Sequence, residues 1–474
     1  MPDSVAGISF AGCPSAKPPR FPTGPCERRV HAPGDSKTGG AEPPGVTDSN
    51  DSLLYPNAGG DDGTPAGPSR RGLLAGTAAV GVAATAGCTG SDGDGGNGED
   101  DDGGQPTVFV FNTGDGTVSV VDAAGREVLG AADIGATASF PSNQHSPGLV
   151  DAPDQPLWLN VDRGVRALSA GGLGELAAVE TESGANWLER TPDGSDVVVS
   201  AREPTHAQFR IDSDRDSGTF GEVTGRIDRV EEGGHGDNEG PGPCDVTIHP
   251  DGEYAFVPDI FGDTLTVLDV GAFEIETQVD VDAVGDGPAR PWMATAAWDG
   301  ETLLVEHDEG ETGTESLWDV SDPASPEERA RLTAEDGLGT NPLTSEVGPD
   351  SETGYVFTPG TDDATVIDLD AGEVTGRIDL DGSAFVGTWD PAREYLYVPV
   401  QTADEVAVID HEAGEVATRL DVGAEPYGAT AATVRPDLDA SATLAAALAR
   451  LTVGTRIFDT TYCVGKCACG HTLR

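Results

Sequence analysis

The chain has 474 residues, among them 65 glycines and 34 prolines, with 5% aromatic residues and a formal charge of −56 from 27 basic and 83 acidic groups. So acidic a surface repels phosphate backbones and anionic lipid headgroups, which excludes nucleic acid as a partner. Scarce aromatics with abundant glycine exclude a long-helix protein and favour a turn-rich β architecture.

The charge is uneven along the chain. The three lysines, Lys17, Lys37 and Lys466, all lie in the flanks, with five of the seven cysteines. Residues 72–439 hold 16 arginines and no lysine against 74 carboxylates. This composition resembles proteins of extreme halophiles, here an archaeal one. In ~1 M salt the Debye length is about 3 Å, so dense carboxylates hardly repel, and folding is expected to need salt. Residues 1–68 read as a disordered segment upstream of the true start. Residues 438–474 read as a tail, a short helix or disordered; its Cys463, Cys467, Cys469 and His471 have ligand-like spacing but no domain around them.

Residues 69–88 carry an export signal. Arg70-Arg71 opens a twin-arginine motif, and fourteen apolar, small residues follow over 73–86. That run is too short to span a ~30 Å hydrocarbon core as a helix, yet it has the build of a signal peptide. Gly87-Cys88 resembles a lipobox, which implies lipidation of Cys88, an extracellular location on the membrane face, and membrane contact only through that anchor. Residues 89–104 are an acidic Gly/Asp linker. Its fourteen-residue stretch 91–104 reaches about 20 Å root-mean-square. With Cys88 lipidated, Cys244 is the one cysteine of the body, so no intrachain disulfide is expected there.

From 105 to 437 the chain repeats. TPDGSDVVVS (191–200), HPDGEYAFVPD (249–259), GPDSETGYVFTPG (348–360) and DPAREYLYVPV (390–400) each place a tight turn before an alternating strand. TVSVVD (117–122), TLTVLD (264–269) and EVAVID (405–410) supply the next strand, and AGEVTGRIDL (371–380) or AGEVATRLDV (413–422) the one after. Asp122, Asp269, Asp368 and Asp410 recur where the second segment ends, placed to accept N–H groups of the following turn. A period near 45 residues with three or four strands per repeat predicts propeller blades. Seven units fit: 107–135, 153–180, 186–230, 243–281, 291–334, 341–380 and 383–422. The first lacks its leading strand, and 426–437 supplies one, so the expectation is an all-β, seven-bladed β-propeller of four-stranded antiparallel blades, closed by a C-terminal strand. A monomer is expected.

Tyr355-Val356-Phe357-Thr358, Tyr397-Val398-Pro399-Val400 and the VSVVD and VAVID segments resemble the YVTN-type (YncE-like) repeat family of archaeal and bacterial surface propellers. The resemblance covers about 105–437 and implies the fold. Function it leaves open, since the family contains scaffolds, binders and some enzymes.

The repeat alignment puts four histidines on one face, in the connections between second and third strands and between blades: His145, His206, His235 and His307. Glu203, Asp237, Glu306 and Asp308 are their neighbours. Imidazole with carboxylate suits zinc or copper, so these residues are the candidate metal ligands, against the plainer reading of exposed loop histidines. Asp212, Asp214 and Asp216 alternate before Gly218 as a candidate calcium loop, although the twelfth position is Val223 rather than Glu; a solvated acidic turn is the alternative. No nucleophile elbow, P-loop or dinucleotide fingerprint occurs. Cys244 reads as a small buried thiol, and the six tryptophans as fillers between blades. The functional expectation is a lipid-anchored scaffold binding a protein, glycan or small ligand. The rival is a metal-binding propeller, either a chaperone or an oxidoreductase.

Overall fold

The computed structural model describes residues 104–134 and 146–438, apart from 162, 184 and 237. The chain divides into two units, 1–94 and 95–474, and everything described belongs to the second. The export motif (Arg70, Arg71), Cys88 and His145 therefore lie outside the described residues.

Seven antiparallel sheets follow one another along the chain, six of four strands and one of three. The three-stranded sheet is the second, built from Pro156–Val161, Gly164–Ser169 and Glu175–Glu180. Each blade runs from a buried strand near the axis to a largely exposed one at the rim. In the fourth, for example, Thr247–Ile248 is fully buried and Glu274–Asp280 alternates exposed and half-buried residues. The seven units read from the repeat are the seven sheets.

Closure is as expected from the orphan segment. Pro426–Ala432 pairs antiparallel with Thr107–Asn112, with Val108 opposite Ala431 and Val110 opposite Ala429. The last strand thus becomes the innermost strand of the first blade, and the ring has no open edge between its ends.

The turns form for local reasons. Asp251 Oδ1 accepts the Glu253 N–H at 2.8 Å, and Gly252 takes φ = 78°, a conformation that costs glycine little. The aspartates that end the third strands accept N–H groups of the next turn: Asp269 from Ala272, Asp368 from Ala371, Asp410 from Ala413. In all seven blades the pairing of third and outermost strands carries a register shift of one residue. A bulge there increases twist at the rim.

The core lies mainly between blades. Leu303, Val305 and Trp318 pack against the fourth blade's Leu265 and Val267. Leu304 and Leu317, on the other face of the same strands, pack against Val347 and Val356 of the sixth blade. Trp158, Trp318 and Trp389 fill such seams, as read from the sequence. Trp187 does not. It meets Phe385 edge-on at 5.9 Å, and Phe385 stacks on Tyr427 at 4.5 Å. These rings belong to the third, seventh and first blades, so the aromatic group crosses the axis. Among the described residues no helix is long and apolar enough to cross a membrane.

Candidate functional site

Three histidines of the candidate metal set are described, and each has its own local partners. His206 is 2% exposed, and its Nδ1 accepts the Gly242 N–H at 3.2 Å. Burial lowers its pKa, with Glu203 pulling the other way. His235 is exposed and pairs through Nε2 with Asp263 Oδ2 at 2.6 Å. His307 is fully buried: Nδ1 meets the Ala289 carbonyl at 3.2 Å, and Nε2 meets Ser316 Oγ at 2.7 Å. Burial pushes His307 well below the usual imidazole value, so the ring is neutral, donating from Nδ1 and accepting the Ser316 hydroxyl at Nε2. Among the described residues no three His, Cys, Asp or Glu side chains gather in a way that could hold a metal. His206, His235 and His307 are thus not gathered with one another in the described structure. Two of the rings are buried in the framework, His206 against the Gly242 N–H and His307 between the Ala289 carbonyl and the Ser316 hydroxyl.

Asp212, Asp214 and Asp216 lie on the opposite face, in the turn between Ala207–Asp212 and Val223–Asp228. Asp212 accepts from the Ser217 and Thr219 hydroxyls and from the Asp214 N–H, and Asp214 accepts the Asp216 N–H at 2.9 Å. Burial would raise the Asp212 pKa, but these donors outweigh it and hold it low. Asp212 and Asp214 accept hydrogen bonds within the turn itself.

Cys244 is buried as expected, its Sγ accepting from Asn186 Nδ2 at 3.1 Å. Close by, the connection that follows the third blade is fastened by a buried arginine. Arg229 makes two parallel bonds of 2.8 Å to Asp259, and Asp259 also accepts from Thr264 and Thr266.

The channel itself is lined by polar groups that tie one blade to the next. Glu189 of the third blade accepts the Ile248 N–H at 2.6 Å, and Asp245 of the fourth accepts the Ala294 N–H at 2.7 Å. Thr295 of the fifth donates to the Ser345 carbonyl at 2.9 Å, and Thr344 of the sixth donates to the Phe385 carbonyl. The cavity left among Trp187, Glu189, Asp245, Met293, Ser345 and Glu346 is about 30 Å³. That is water-sized. Burial pushes the Glu189 carboxyl up to about 8 against the pull of the Ile248 N–H, and raises Asp245 well above the carboxylate range.

A second concavity, of about 540 Å³, opens between the third and fourth blades, on the face opposite His206 and His235. Asp193, Asp196, Asp251 and Glu253 line it with Thr191 and the Val270–Gly271 turn. Sequence reasoning missed both this cleft and the buried channel acids. The available signal was a carboxylate at an inward position of an otherwise apolar strand, as Glu306 in Thr302–His307. In a chain with 83 acidic residues that signal does not stand out.

No protein-family model matches this chain, and no curated protein does. Solved structures do. A protein from Lactobacillus plantarum superposes with a TM-score of 0.55 at 14% identity, over 69% of this chain and 99% of that one. The periplasmic gluconolactonase PpgL of Pseudomonas aeruginosa gives 0.52 at 16% identity, over 69% and 99%. A functionally unknown protein from Desulfotomaculum acetoxidans gives 0.52 at 13%, over 70% and 100%. The likeness is one of fold. Propellers of this build serve binding, scaffolding or enzymatic roles, and sequence identity this low selects none of them.

Proposed function

We propose that this propeller is a binding scaffold of the YVTN-repeat type, exported by the twin-arginine route and tethered by a lipidated Cys88 to the outer face of a halophilic archaeon's membrane. The observation that carries the binding reading is the closed axis. Glu189, Asp245, Thr295 and Thr344 are engaged in tying blades together, and the water-sized cavity excludes a substrate, so recognition falls to the faces. The acidic cleft between the third and fourth blades is where a small ligand, glycan or peptide with a positive group fits best.

Two measurements test this. A thermal-shift screen in molar salt against polyamines, glycans and cationic peptides should find a compound that raises Tm, with the shift lost in Glu253→Ala. A screen in which every stabilising compound acts equally on that variant would move recognition away from the cleft. For the anchor, Cys88→Ser should release the protein from the membrane fraction into the medium, and Arg70→Lys with Arg71→Lys should retain it in the cytoplasm.

A further inference from the structure

Glu306 and Glu315 stand directly opposite each other on neighbouring strands of the fifth blade, Thr302–His307 and Thr314–Asp319. Both are 0% exposed; Glu306 takes a hydrogen bond from the Ser345 side chain, and among the described residues no donor reaches the Glu315 carboxyl in good geometry. They lie two residues along from Leu304 and Leu317, which face the sixth blade, so strand alternation puts both carboxyls in that dry seam. Directly opposed residues have their Cβ atoms about 5 Å apart, close enough for the carboxyl groups to meet. The Ser345 hydroxyl, from the sixth blade's inner strand, is 2% exposed and lies against Glu306.

The charged surroundings do not favour two anions. From the outermost strand Arg331 acts on Glu315, but its guanidinium is bound to Glu309 and Glu328. From the channel side, Glu306 and Glu189 each add a like charge to Asp245. Glu346 follows Ser345 on the sixth blade's inner strand. His307, next in sequence, is neutral. The connection that follows it holds Asp308 paired with Arg290.

We propose that Glu306 and Glu315 share one proton in the folded propeller, as a carboxylic acid hydrogen-bonded to a carboxylate on the neighbouring strand of the same blade. The proton comes from solvent on folding and returns to it on unfolding, since separated, hydrated glutamates ionise independently. Burial raises Glu306 to about 7, against the pull of a Ser345 hydrogen bond, and burial together with the Glu306 charge raises Glu315 well above its ordinary value, so one carboxylate of the pair disfavours the other. The pair is thus a stability element sensitive to alkali at the fifth and sixth blades.

The test is proton release on unfolding of the full chain, in weakly buffered molar salt at pH 6. Wild type should release protons, and Glu315→Gln should release about one fewer, because the amide keeps the hydrogen-bond donor without titrating. Glu306→Gln should do the same, and the double variant no less than either. Equal release from wild type and both single variants overturns the proposal. A wild-type Tm that rises with calcium at fixed ionic strength, with the rise lost in Glu315→Gln, would also overturn it, by showing that a cation rather than a proton neutralises the pair.

Discussion

Arg229 shows how much a single residue can hold in this molecule. It is 1% exposed, faces the equally buried Asp259, and fixes the start of an eighteen-residue connection, 229–246. Removing one partner of a buried pair leaves the other charge uncompensated, so Arg229→Ala should destabilise by about 3–5 kcal/mol. Urea denaturation in fixed salt would measure it, and a loss below ~1 kcal/mol would show that water reaches Asp259. Trp187→Ala removes the ring that meets Phe385 across the axis and should cost about 3–5 kcal/mol, read by the same method. Neither role was legible in the sequence. Arg229 sits in RIDRVEE, a stretch that looks like solvated rim, and only the fold brings Asp259 beneath it.

Elements were far more legible. A strand that alternates and ends in aspartate, followed by a tight turn, needs no distant information to form, and the aspartate-to-turn bonds at Asp269, Asp368 and Asp410 are contacts within three residues. The second blade was the weak point: only three of its strands are described, and its turns lack the Pro-Asp-Gly pattern. The closing strand was readable because the first unit lacked what 426–437 offered. Its deletion, by truncation after Val422, should expose the edge of Thr107–Asn112 and strip Tyr427 from Phe385. Size-exclusion chromatography should then show aggregation or loss of the cooperative thermal transition. A truncated chain that stays monomeric with an unchanged Tm would mean the ring does not depend on its clasp.

For the whole molecule, charge governs the response to solvent. With a net charge of −56, lowering the salt from ~1 M to ~0.15 M lengthens the Debye length from about 3 to about 8 Å and turns on repulsion among surface carboxylates. The Tm should fall steeply over that range; a salt-independent Tm would sink the halophile reading. Acidity works through the buried groups. Glu189 and Glu306 are raised to about 8 and about 7 when folded, from 4.5. Below 4.5 both states hold these protons. As pH rises toward 8 the unfolded chain loses them first, and stability falls by about 1.4 kcal/mol per pH unit for each group. Asp193 and Asp212 behave oppositely. Burial alone would raise them, but hydrogen bonds from Ser195 and Thr191, and from Ser217 and Thr219, keep them low, so their contribution is present above 3.8 and is lost in stronger acid. Denaturation curves at fixed salt from pH 3 to 9 should peak near ~pH 5, and stability that climbs steadily from 5 to 8 would contradict the buried acids.

The sequence by itself determined the blade count, the manner of closure and the face each connection occupies. Those follow from alternation, turn chemistry and repeat length, which are local or periodic. Only the tertiary structure decided which polar groups are dry. Whether Glu253 faces a cleft, Glu315 a sealed seam, or His307 a backbone carbonyl depends on which neighbouring blade lies against it. That is a matter of blade-to-blade packing, to which no short-range pattern in the chain corresponds.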